Sequence, residues 1–224
     1  MPLLTETFDE FKTRTGYTIL ERYGMTEGNM FTSNPYDGER RGGTVGFPLP
    51  GVSIRIADAE NQAVAVNEIG QIQVKGDNIF RGYWRMPEKT REEFTGDGFF
   101  KTGDMGKRDK DGYISIIGRS KDLIISGGLN VYPKEIEEMI DAMPGVFESA
   151  VFGVPHPDFG EAVAAAVVCQ KNQDGAAATE TAIIDALKGV LANFKVPKHV
   201  HFIDELPRNS MGKVQKNVLR QQFA

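Results

Sequence analysis

Four short stretches of this chain carry residue types suited to handling a nucleotide. Tyr23-Gly24-Met25-Thr26-Glu27 combines an aromatic ring, a flexible glycine, a hydroxyl and a carboxylate. Such a set can meet a phosphate and its magnesium, because Mg2+ is usually held through a carboxylate or two and the phosphates of its substrate. Lys101-Thr102-Gly103-Asp104 sets a carboxylate beside a glycine, and two acceptor oxygens can grip a vicinal diol such as a ribose. Gly118-Arg119-Ser120-Lys121-Asp122 offers Arg119 to a phosphate or ribose, with Gly127-Gly128 just beyond, where bare backbone lets a ligand pass closely. Leu206-Pro207-Arg208-Asn209-Ser210-Met211-Gly212-Lys213 is a Pro- and Gly-bounded loop whose lysine can stabilise a transition state as a point charge. It is not a Walker A loop, because Pro207 stands where the first Gly is needed and Val214 replaces the Ser/Thr. Taken singly, each stretch also reads as ordinary structure: a solvated loop, an Asx turn, a linker, a hairpin turn, an exposed lysine.

The rest of the sequence must supply the elements that hold these groups. The 224 residues are 40% hydrophobic and 25% charged, with 25 Gly and 11 Pro, an ordinary globular composition. A net charge of -5 argues against broad nucleic-acid binding, which draws on basic excess. The single cysteine, Cys169, excludes an internal disulfide or a Cys-based metal cluster and is expected inside a buried strand. Three histidines (His156, His199, His201) are a thin basis for a metal site, and His156, between two prolines, is expected to order a turn. The longest apolar run, Ala162 to Cys169, is far short of the roughly 20 residues that span a membrane. No signal peptide is visible, so a cytoplasmic protein is expected.

The hydrophobic pattern changes character twice. Leu4, Phe8 and Phe11 predict an amphipathic helix over Leu4 to Arg14, ended by Gly16. Tyr17 to Leu20 reads as a short strand, followed by a polar loop from Glu21 to Gly43 that contains the first motif. From Thr44 to Ile117, alternation at Val52, Ile54 and Ile56, and at Ile72 and Val74, predicts half-buried strands. Asp109 to Gly112 reads as the turn before a strand Tyr113 to Ile117, and such spacing suggests a small barrel or sandwich. From Lys121 onward strands and helices alternate. Pro133 starts a helix that Met143-Pro144-Gly145 stops. Strands are expected at Leu123 to Ile125, Ser149 to Val154, Ala162 to Cys169 and His199 to Ile203. Gln170 to Ala178 is a polar loop. Thr179 caps a helix whose stripe runs through Ile183, Ile184, Leu187, Val190, Leu191 and Phe194, and Val214 to Gln222 is a last short helix.

The order and spacing of the four motifs, together with Pro133-Lys134-Glu135-Ile136-Glu137, resemble the C-terminal half of an adenylate-forming enzyme. That superfamily includes acyl-CoA synthetases, peptide-synthetase adenylation domains and luciferases. Within it, Glu21 to Met30, Gly82 to Thr90 and Asn130 to Glu137 look most like malonyl-CoA synthetases. The resemblance implies an α+β, multidomain fold: a remnant of a large α/β domain (1–43), a small distorted β-barrel (44–119) and a C-terminal α+β mobile lid domain (120–224). It implies that a carboxylate, malonate or a fatty acid, attacks Mg-ATP to give an acyl-adenylate and pyrophosphate, and that the thiol of coenzyme A then displaces AMP.

By the same resemblance, Tyr23 lies against the adenine, Thr26 contacts phosphate and Glu27 helps hold Mg2+. Asp104 binds the ribose hydroxyls and Arg119 contacts ribose or phosphate. Lys121 is the hinge, Gly127 and Gly128 flank the pantetheine of coenzyme A, and Lys213 is the lid lysine of the adenylation step. The small domain alternates between two faces in the two steps. The Ser/Thr/Gly-rich phosphate loop of the family does not occur in these residues. The chain is therefore expected to be a truncated ligase, inactive without its N-terminal part, with residues 1–43 disordered, repacked or self-associated. A non-catalytic nucleotide- or partner-binding module is the second reading.

Overall fold

The computed structural model describes residues 3, 5–170 and 178–224. The chain divides into two compact units, Met1–Ser120 and Lys121–Ala224.

The first unit opens with helix α1 (Thr5–Thr15). Gly16, at φ +75°, ends it in the left-handed conformation that glycine adopts freely. Only Phe8 of the expected stripe is buried; Phe11 is exposed, and Leu4 lies outside the described residues. The strand expected at Tyr17 to Leu20 is not formed, and Tyr17 is exposed. The first strands are instead β1 (Arg22–Met25) and β2 (Asn29–Ser33), so the Tyr23–Glu27 motif is itself a hairpin rather than part of a polar loop. β2 pairs onward with the short β3 (Phe47–Pro48).

A second sheet follows as an antiparallel meander of β4 (Val52–Ala57), β5 (Gly70–Gly76), β6 (Phe100–Arg108) and β7 (Ile114–Arg119), with helix α2 (Pro87–Glu93) between β5 and β6. The barrel expected here is not closed. β4 pairs only with β5 and β7 only with β6 among the described strands. Tyr23, Phe31 and Val45 from the first region share one apolar cluster with Ile54, Ile72, Val74, Phe100 and Ile114. This burial removes the need for closure, because the open sheet already has a covered face.

The second unit starts in a 3-10 turn, Ser120–Asp122, and the hairpin β8 (Ile124–Ser126)–β9 (Leu129–Val131). Helix α3 (Pro133–Asp141) precedes the long hairpin of β10 (Val146–His156) and β11 (Gly160–Cys169). Helix α4 (Glu180–Lys188), strand β12 (His199–Phe202), parallel to β11, and helix α5 (Lys216–Phe223) complete it. The Ala162 to Val168 run is buried on both faces. Val163, Ala165 and Val167 pack with Ile136, Ile140, Ile183 and Leu187. Ala162, Ala164 and Ala166 pack with Phe152 and Leu219. This is why the run is continuous rather than alternating.

The Thr179 hydroxyl caps α4, accepting from the Ala182 amide at 3.2 Å. The helix stops at Lys188, earlier than its stripe suggests, and Val190 is exposed. Cys169 closes β11 half-buried, and most of the Gln170 to Ala178 loop lies outside the described residues. His156 stacks on Phe159 at 4.7 Å and its Nδ1 accepts from the Asp158 amide, ordering the turn between β10 and β11.

Burial raises the Asp141 carboxyl at the end of α3 to about 6 from its ordinary 3.8, against the hydrogen bonding of Ser149 and with help from the charges of Glu137 and Glu148. Folding thus favours the protonated acid. Its stabilising contribution is full below the unfolded value and is lost as pH rises through about 6. Asp141→Asn is expected to stabilise this unit at pH 7.5 by about 1 kcal/mol, after discounting for partial exposure, and not at all at pH 4. Urea denaturation at the two pH values checks this, and an equal gain at both contradicts it.

Candidate active site

The centre of the first unit is a buried carboxylate. Asp104, on β6, is 7% exposed, and Tyr23, on β1, is 8% exposed. The Tyr23 hydroxyl donates to Asp104 Oδ2 at 2.5 Å, across 81 residues of sequence. On its other side Arg119 Nε stands 3.1 Å from Asp104 Oδ1. The β6–β7 register explains this, since it places Asp104 directly opposite Arg119. Thr102 holds the strand locally: its hydroxyl donates to the Ile72 carbonyl at 2.8 Å and accepts from the Asp104 amide at 3.1 Å. Burial, then the charge of Asp104, raises the Tyr23 phenol well above its ordinary range, so it stays a donor. Three residues proposed from sequence for adenine and ribose thus form one cluster.

The β1–β2 hairpin depends on its glycines. A Cβ on Gly24 would lie 1.9 Å from the Asn29 carbonyl oxygen, and one on Gly28 would meet the Phe31 ring at 2.3 Å. Both approaches are shorter than any tolerable contact, so the hairpin needs glycine at these places. The turn they permit presents Thr26 to solvent and leaves Glu27 half-buried. Two bonds fix Glu27. Its carbonyl accepts from the Phe80 amide at 2.7 Å, and its Oε1 accepts from the Tyr83 hydroxyl at 3.0 Å. Burial and Glu27 together push the Tyr83 phenol up to about 12. Among the described residues Glu27 Oε2 has no partner. One oriented carboxylate with a free oxygen fits Mg2+ carried on a polyphosphate, which needs few protein ligands. No group of three or more His, Cys, Asp or Glu placed for a metal exists among the described residues. Tyr83 is the residue that sequence reasoning left without a role. It lies in the Gly82 to Thr90 stretch, but nothing local signals its bond to Glu27, 56 residues away.

The remaining residues lie on the second unit or at its border. Lys121 is exposed in the 3-10 turn at which the two units divide. Gly127 and Gly128 form the two-residue turn of the β8–β9 hairpin, with φ of +59° and +79°. Positive φ at both central positions is the geometry that favours glycine in such hairpins. The turn's outer edge is open, since a Cβ on Gly128 would meet nothing within 4 Å. Lys213 is exposed at the end of a loop closed by an isolated bridge between Arg208 and Val214. Its ammonium pairs with no carboxylate among the described residues.

The profile described as AMP-binding enzyme matches residues 1–84, and that described as AMP-binding enzyme C-terminal domain matches residues 135–213. The chain belongs to the AMP-binding enzyme family. It is 42% identical over 219 residues to the malonate–CoA ligase of Arabidopsis thaliana, covering 94% of this chain and 36% of that protein. It is 38% identical over 221 residues to a long-chain-fatty-acid–CoA ligase of Yersinia pestis, covering 98% of this chain and 38% of that protein. The ATP-bound crystal structure of MatB from Rhodopseudomonas palustris superposes with a TM-score of 0.94 at 60% identity, over 99% of this chain and 44% of that chain. The chain thus spans between 36% and 44% of the length of these relatives. Among the described residues no helix is long and apolar enough to cross a membrane.

Tyr23→Phe leaves the buried Asp104 carboxylate without one of its donors. The first unit should lose about 1.5–3 kcal/mol, as for hydrogen bonds to charged groups. Chemical denaturation measures this, and an unchanged midpoint contradicts the role given to the bond.

Proposed function

We propose that this chain is the nucleotide- and thiol-handling portion of an ATP-dependent acid–CoA ligase, with malonate as its acid and a fatty acid as the alternative. The observation that carries the reading is the buried Asp104 carboxylate held between Tyr23 and Arg119. The likeness to malonate–CoA ligase and MatB supports the choice of acid.

In this reading the overall reaction joins a carboxylate to coenzyme A with cleavage of ATP to AMP and pyrophosphate, through an acyl-adenylate. Asp104 accepts from the ribose hydroxyls, as a carboxylate with two acceptor oxygens can. Arg119, nearly half exposed, turns its free nitrogens to ribose or phosphate. Tyr23 supplies an apolar wall for the adenine. Thr26 donates to phosphate, and Glu27, steadied by Tyr83, offers Oε2 to Mg2+. Mg2+ supplies neutralisation of phosphate charge. Lys213 supplies the cation that offsets charge developing at the α-phosphate during adenylation. Lys121 is the hinge, and the Gly127-Gly128 turn borders the pantetheine in the thioester step. A cytoplasmic location belongs to this reading, since ATP and coenzyme A are its substrates.

The 224 residues contain no Ser/Thr/Gly-rich phosphate loop, so adenylation needs a segment beyond them. That feature also sustains a second reading, a non-catalytic nucleotide- or partner-binding module. The 224-residue chain alone is expected to show no malonate-dependent ATP–pyrophosphate exchange, whereas a ligase that includes it does. In that ligase Lys213→Ala should lose exchange by about 100-fold or more while still forming thioester from supplied malonyl-adenylate. Equal loss of both steps contradicts the role of Lys213. Failure of every longer chain to exchange favours the binding module.

A further inference from the structure

Lys213 combines a free ammonium with a backbone that is bonded on every side. Its amide donates to Asn209 Oδ1 at 2.9 Å, and its carbonyl accepts from the Asn209 amide at 2.9 Å. Asn209 Oδ1 also accepts from the Met211 amide at 3.0 Å, and the Asn209 carbonyl accepts from the Gly212 amide at 2.9 Å. Gly212 takes φ +77°, which turns the chain sharply just before the lysine. An exposed lysine with no task needs none of this.

The turn is tied to the core of the second unit at both ends. At its start the Arg208 guanidinium spans two groups: Nη1 donates to the Gly212 carbonyl at 2.8 Å, and Nη2 bonds the Glu148 carboxylate on β10. At its end Lys216 donates to Glu137 Oε1 on α3 at 2.6 Å, and the same oxygen accepts from the Val151 amide at 2.8 Å. Glu148 and Glu137 are set on elements whose neighbours Ile136, Ile140, Ala150 and Val151 are fully or almost fully buried. The carboxylates therefore stand on rigid ground, and the fork of Arg208 carries that rigidity to the carbonyl adjoining Lys213.

We propose that Arg208 and Glu148 are positioning residues for Lys213, a clamp that fixes the turn from which the lysine reaches its phosphate. The proposal rests on the reading that Lys213 acts in adenylation. A lysine has four rotatable stem bonds, so a fixed backbone is the part of its placement that the fold can control, and misplacement by about 1 Å costs as much as 100-fold in rate. Arginine is required because one ammonium cannot span the Gly212 carbonyl and the Glu148 carboxylate with separate, fixed donors.

The test uses Glu148→Gln and Arg208→Lys in a ligase containing this chain, with Lys213→Ala alongside. For both clamp variants kcat for ATP–pyrophosphate exchange is expected to fall about tenfold or more, with KM for ATP and thioester formation from supplied acyl-adenylate within about twofold of the parent. In the 224-residue chain, amide hydrogen exchange at Lys213 should quicken about tenfold in either variant. Unchanged exchange kinetics in both clamp variants, or equal loss in the two half-reactions, overturns the proposal. If Lys213→Ala exchanges normally, the reading of Lys213 has failed and the clamp's purpose with it. If Lys213→Ala is inactive while both clamp variants are normal, the clamp alone is overturned.

Discussion

A carboxylate buried to 7% exposure constrains everything around it. Donors reach the Asp104 carboxyl from two other strands, and burying such a group without partners would be costly. Arg119 comes from the neighbouring strand of the same sheet, through register. Tyr23 comes from a different sheet, through the packing of Phe31 and Val45 onto Ile54, Ile72 and Phe100. The β1–β2 hairpin, the open meander and the cluster between them are thus held to one arrangement by a single polar centre. In the proposed reading the same centre accepts the ribose diol, which would place the demands of stability and of ligand recognition on the same atoms.

The second unit is organised the opposite way. Its sheet is apolar on both faces, and among the described residues of this unit no charged side chain is fully buried. Its candidate chemistry lies on turns: Gly127-Gly128 between β8 and β9, and Asn209 to Lys213 before α5. Function carried on loops that a rigid scaffold positions is a common arrangement. Here one loop is a two-residue glycine turn with positive φ at both positions, and the other is tied by side-chain bonds from Asn209 and Arg208.

Much of the second unit was legible in the sequence because its signals are local. Thr179 marks a cap, Pro133 marks a first helical turn, and the unbroken Ala162 to Val168 run marks a strand buried on both sides. The stripe through Val190 overran because Gly189 ends α4 first. The first unit was less legible. β1 is four residues long and contains Gly24, so its pairing comes from tertiary packing and from the clash that excludes any side chain there. The barrel was overread because alternation reports one covered face, not closure. In the site, the motifs identified Asp104, Tyr23 and Arg119 as chemistry-bearing, but not that they bond to each other. Tyr83 lay in a stretch that carried the family resemblance but had no role there, since its contact with Glu27 exists only in three dimensions.

The role of Asp104 as ribose acceptor is tested most directly by comparing AMP with 2′,3′-dideoxy-AMP. Isothermal titration of a ligase that contains this chain, and of its Asp104→Asn variant, gives the four affinities. With the carboxylate accepting from the diol, the parent should bind AMP at least about tenfold more tightly than the dideoxy analogue, because each lost bond to a charged acceptor is worth about 1.5–3 kcal/mol. In Asp104→Asn that preference should largely vanish. Equal binding of the two nucleotides by the parent protein would contradict the assignment.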